Sequence, residues 1–84
     1  MGKKDICRQL EELAVHLGAK VIYDDLTFSG GHCRSKGRFY IVINERLALD
    51  ERIRLLCAGI SELPWEQDDL PPEIQNLLIR KHGP

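Results

Sequence analysis

Across residues 4–17 the apolar side chains Ile6, Leu10, Leu13, Ala14 and Leu17 form one helical stripe, with Arg8, Glu11 and Glu12 turned to water. Asp5 suits the positive end of that helix, and Gly18 suits the left-handed position that closes it. The pattern then shortens. Residues 20–24 (KVIYD) read as a brief strand that Asp24-Asp25 breaks, and Leu26-Thr27-Phe28 fits either a loop or a strand extension. Ser29-Gly30-Gly31 is a corner at which at least one glycine takes a positive φ. His32-Cys33-Arg34 and residues 38–44 flank Ser35-Lys36-Gly37, the spacing of a hairpin whose turn ends on a left-handed glycine. In the second arm Phe39, Ile41 and Ile43 share one face while Tyr40 and Val42 share the other. Both faces are apolar, which predicts a central strand paired on both edges and covered by helices on at least one side.

A helical period returns after Asp50, the expected N-cap, with Ile53, Leu56, Cys57, Ile60 and Leu63 in a stripe that Leu55 and Ala58 widen. Gly59 within it costs about 1 kcal/mol against alanine, which predicts close packing against another backbone. Pro64 ends this helix. Residues 64–70 form an acidic linker around Trp65, and Pro71-Pro72-Glu73 opens a last helix carrying Ile74, Leu77 and Leu78. Arg80, Lys81 and His82 complement its negative end and Gly83 closes it. The expectation is one small α+β domain over residues 1–84, with a core at about 5–63 and a C-terminal helix at about 71–82. Its sheet is three-stranded and mainly antiparallel, packed by an N-terminal, a central and a C-terminal helix.

Bulk properties narrow the class. At 84 residues the chain buries only about 60–65% of its unfolded surface, so association with a partner would help stability. A composition 43% hydrophobic and 30% charged, without low-complexity tracts, is that of a soluble globular chain. No apolar run reaches the length of about 18–20 residues that a membrane span needs, and the opening residues lack a signal-peptide pattern. Three widely spaced cysteines, Cys7, Cys33 and Cys57, suit reduced thiols, so a cytoplasmic location is expected. The net charge of −1 supplies no global field to steer nucleic acid or anionic lipid.

The sharpest chemical candidate is Gly30-Gly31-His32-Cys33-Arg34. One reading makes Cys33 a nucleophile or metal ligand, with His32 beside it and Arg34 lowering its pKa. The plainer one is a buried structural thiol, since adjacent strand residues point to opposite faces and His32 and Cys33 cannot simply act together. A zinc site from His32, Cys33 and Cys57 lacks the short paired spacing of structural zinc centres, so no metal or cofactor is expected. A basic hairpin of Arg34, Lys36 and Arg38 could hold RNA or phosphate. Interspersed Glu45, Asp50 and Glu51 favour a solvated, charge-mixed face, and nucleic acid is not expected. The glycines match neither a Walker loop nor a dinucleotide fingerprint. Trp65, with Leu70 and Ile74, is a candidate exposed anchor for a protein partner or a second copy; the competing reading is a cover over the core.

Residues 39–44 (FYIVIN), followed by Glu51-Arg52 and an amphipathic helix, resemble the core of ImmA/IrrE-type zinc metallopeptidases over about residues 5–63. In that family the helix bears HExxH. Laid onto this chain, the two histidines would fall on Gly59 and Leu63 and the catalytic glutamate on Ile60. With neither ligand nor base, the resemblance implies a degenerate fold without hydrolysis. The Gly-Gly-His-Cys-Arg corner, the Lys-Gly turn, the Ile-Val-Ile-Asn strand and the Pro-Pro-Glu-Ile segment also resemble a family of small bacterial proteins with no assigned activity. The expected function is therefore a non-catalytic, cytoplasmic protein-interaction module, its partner an unidentified protein or a second copy.

Overall fold

Six elements realise these patterns in a computed structural model that describes residues 2–66 and 70–82, the side chains of the last three excepted. They are α1 (Lys3–His16), β1 (Ala19–Asp24), β2 (Gly30–Ser35), β3 (Arg38–Asn44), α2 (Leu49–Ile60) and α3 (Pro72–His82). The α+β class and the order of the three helices agree with the sequence. Gly83 and the acidic pair Asp68-Asp69 lie outside the described residues.

The apolar stripe of α1 is buried through Ile6, Cys7, Leu10 and Ala14. The helix closes on Gly18, at φ 96°, whose N–H donates to the Val15 carbonyl at 3.0 Å. The strand order is β1-β3-β2, so β3 is central as its two apolar faces require. β2 pairs antiparallel with β3 and β1 pairs parallel with it, which makes the sheet mixed. The parallel pairing has a simple origin. After β1 the chain crosses the end of the sheet, enters β2 on the far edge, and returns through a hairpin into the vacant middle. Residues 25–29 make the crossing, so Leu26-Thr27-Phe28 is loop.

The hairpin turn is tighter than the sequence suggested. Ser35 pairs with Arg38, leaving Lys36 (φ 51°) and Gly37 (φ 78°) as a two-residue loop with both residues left-handed, as the twist of a hairpin favours. At the other end of β2, Gly30 has φ 132°, and a Cβ there would run into the Val42 carbonyl.

Helix α2 starts one residue before the expected cap. Ala48 is extended and its carbonyl accepts from the Arg52 N–H at 3.1 Å, while Asp50 sits in the first turn and pairs with Lys3 at 3.0 Å. Asp50 still lies at the positive end of the helix, so its charge is favourable although its side chain caps nothing. The regular helix stops at Ile60 rather than Leu63. Glu62 and Leu63 donate to Gly59 and Ile60, three residues back, a tightening that ends the helix before Pro64. Gly59 does mark close packing, against a side chain rather than a backbone: an added Cβ would lie 2.7 Å from Ile41 Cδ1. Helices α1 and α2 lie side by side on the Phe39–Ile41–Ile43 face of the sheet, and α3 packs on α2. All three share one cluster of buried side chains with that face.

Candidate functional site

Because the helices occupy one side, the opposite face of the sheet is left open among the described residues. Strand alternation and register place three rows of side chains on it. The first row is Lys20, Tyr40 and Cys33; the second is Ile22, Val42 and Gly31; the third contains Asp24 and Asn44. Ile22, Tyr40 and Val42 are half-buried by one another and by their strands, yet no helix covers them. Arg38 extends β3 beyond the first row. The face is therefore an apolar centre with Lys20 and Arg38 at one end and Asp24 at the other.

Asn44 fixes the acidic end. Its Nδ2 donates to the carbonyls of Leu26 and Phe28, each at 3.1 Å, and its Oδ1 accepts from the Arg46 N–H at 3.0 Å. This holds the crossing loop against the end of β3, where the Phe28 side chain is 60% exposed. Nearby Asp25 is neutralised by Arg46 at 3.0 Å, while Asp24 accepts from the Asp25 N–H at 2.7 Å. Lys20 and Arg38 make no ion pair among the described residues.

A second feature lies between α1 and the start of α2, a pocket of about 350 Å³ lined by Lys4, Arg8, Cys7, Glu11 and Arg52 among others. The Tyr23 hydroxyl donates to Glu11 at its wall, and the Arg52 guanidinium lies 5.3 Å from the Tyr23 ring centroid. Arg52 also donates to the carbonyls of Leu47 (2.9 Å) and Glu45 (2.8 Å), locking the turn before α2. Burial, reinforced by the Glu11 carboxylate, pushes the Cys7 thiol up despite the opposing pull of Tyr23 and Arg52. Burial first, then donation to Glu11, pushes the Tyr23 phenol well above its ordinary value. A buried, protonated thiol is a poor nucleophile, and the arrangement reads as a lock between α1 and β1.

The residues singled out from sequence are dispersed. Cys33 is exposed, against the buried structural thiol of the plainer reading, because it falls on the open face. His32 lies on the other face, stacked 5.6 Å from the Phe39 ring, and Cys57 is fully buried in α2. Strand alternation thus separates His32 from Cys33, and no group of metal-ligating side chains converges among the described residues. The basic hairpin divides in the same way. Arg34 covers Phe39 on the helix side at 5.4 Å, Arg38 lies on the open face, and Lys36 is at the tip. Of the anchor trio, Ile74 is 1% exposed and belongs to the core, so it offers no surface. Trp65 and Leu70 are half-buried against that core. Gly59, Ile60 and Leu63 are all buried, and Ile41 fills the space above Gly59. Lys20, Ile22, Asp24 and Phe28 join the site without having been singled out as site residues from sequence; the signal for the first three was their spacing of two along a strand, which puts them on one face.

These features define a small domain with a helical layer on one side of a mixed three-stranded sheet and an open apolar face on the other. Compared with known proteins, the chain matches no family model, no curated protein and no solved structure.

Proposed function

We propose that the chain is a non-catalytic protein-interaction module that docks through the open face of its sheet, on a degenerate metallopeptidase-like fold. The observation that carries this is the uncovered apolar row of Ile22 and Val42 with Tyr40 beside it. A sheet face this apolar gains by being covered, and among the described residues the chain does not cover it. The absence of catalysis is supported by the packing at Gly59, Ile60 and Leu63, where apolar side chains fill what a hydrolytic site would leave open. The held-back Cys7 thiol and the divided His32–Cys33 pair support it further.

The test separates a docking face from a structural one. In dilute solution, Val42→Thr and Ile22→Thr, at half-buried positions that no helix covers, are each expected to lower stability by less than about 1 kcal/mol. Ile41→Thr, on the helix side of the same strand, removes core packing and buries a hydroxyl, and is expected to cost about 3 kcal/mol or more. Urea unfolding measures all three. Equal losses for Val42→Thr and Ile41→Thr would make the face part of the core and end this reading.

A further inference from the structure

We infer that the open face is closed by a second copy of this chain, related by a two-fold axis that runs across the strands. The inference rests on the docking reading above and names its occupant. A two-fold that brings a face onto its own copy must lie in the plane between them, which leaves two arrangements for sheets stacked with their strands aligned. With the axis along the strands, the copies run in the same direction and like ends meet. With the axis across them, the copies run oppositely and the basic end of one covers the acidic end of the other.

The charges on the face choose between these. Lys20 and Arg38 lie at the start of β1 and β3, unneutralised among the described residues, and Asp24 lies at the end of β1. Like ends would place Lys20 and Arg38 over their own kind across a partly desolvated contact, which like-charge juxtaposition disfavours. Opposed ends satisfy both copies at once. An axis over the second row keeps each strand above its equivalent, so Ile22 and Val42 meet their own copies at the centre. The first row then covers the third: Lys20 faces Asp24 of the other copy, and Tyr40 faces Asn44. Exposed Phe28, held at the acidic end by Asn44, reaches the Cys33 and Arg38 end of the other copy, where an aromatic ring meets a thiol and a guanidinium. The contact is narrow, three strands about 4.8 Å apart, so the dimer is of the weak, reversible kind.

Sedimentation of the full chain up to about 1 mM, with charge reversals at the paired positions, tests the arrangement. The parent protein is expected to dimerise reversibly. Lys20→Glu alone and Asp24→Lys alone each create two repulsive contacts and are expected to raise the dimer dissociation constant about tenfold or more. An equimolar mixture of the two variants restores both contacts, and is expected to form a heterodimer at least as tight as the parent dimer. Both residues are exposed, so the variants keep the fold, which their circular dichroism verifies. A parent protein that stays monomeric at the highest concentration overturns the inference, as do single variants that dimerise like the parent. A mixture that fails to recover overturns the axis and with it the inference. The docking reading fails on a different result, the stability of Val42→Thr in dilute solution, so the two failures are told apart.

Discussion

Tyr23 and Cys7 show how burial changes what a residue does. Both are acids whose neutral form the fold prefers, with ordinary values of 10.0 and 9.0 that the folded chain raises. Between the ordinary and the raised value the folded state holds more protons than the unfolded state, so stability falls as pH rises there. Their contribution is complete below about pH 9 and is lost progressively above pH 9 for Cys7 and above pH 10 for Tyr23. Tyr23→Phe is therefore expected to cost about 1 kcal/mol at neutral pH, the loss of one hydrogen bond. The same variant should lose stability less steeply than the parent above pH 10. Urea midpoints recorded from pH 7 to 11 for both proteins measure this. Parallel alkaline limbs would show that Tyr23 does not carry the effect.

At the level of elements, one side chain, Asn44, makes two of the hydrogen bonds that hold the crossing loop. Asn44 satisfies two loop carbonyls and the Arg46 N–H, while the backbone adds Asn44 N–H to Ser29 and Glu45 N–H to Asp24. Asn44→Ala is expected to lower stability by about 1–3 kcal/mol, several times a typical surface change. Urea unfolding measures it, and a loss under about 0.5 kcal/mol would mean the loop holds without it. Nothing in the sequence announced this role, because it is a contact between residues 16 and 18 positions apart. The helices were legible, since Ile6, Leu10 and Leu13 or Ile53, Leu56 and Ile60 repeat locally and each stripe must be buried. The central place of β3 was legible from its two apolar faces. The parallel pairing of β1 was not: residues 20–24 look the same in either direction, and register comes from a partner 20 residues on. Nor could the strand say which of its faces the helices would choose. Tyr40 and Val42 read as apolar from the start, but only the siting of α1 and α2 on the Ile41 side makes them an open face.

For the whole molecule, one cluster joins the sheet to all three helices, with Ile74 and Leu78 of α3 among its most buried members. Through these two side chains the C-terminal helix is expected to unfold together with the rest of the chain. Ile74→Ala is expected to cost about 2–4 kcal/mol. The single tryptophan, Trp65, packs against the shared core shortly before α3 in the chain and gives a local probe. Its fluorescence and the far-ultraviolet dichroism of the full chain should melt together in parent and variant, and an earlier fluorescence transition would make α3 a separate unit. The strand order has a further consequence for the chain as it is being made. β1 and β2 flank a strand that comes after both of them, so neither has its neighbour until synthesis has passed Asn44. At about 5–20 residues per second, β1 waits roughly one to four seconds as an unpaired apolar segment on the ribosome. Lys20 and Asp24, near its two ends, are charges of the kind that disfavour pairing of such a segment with another chain.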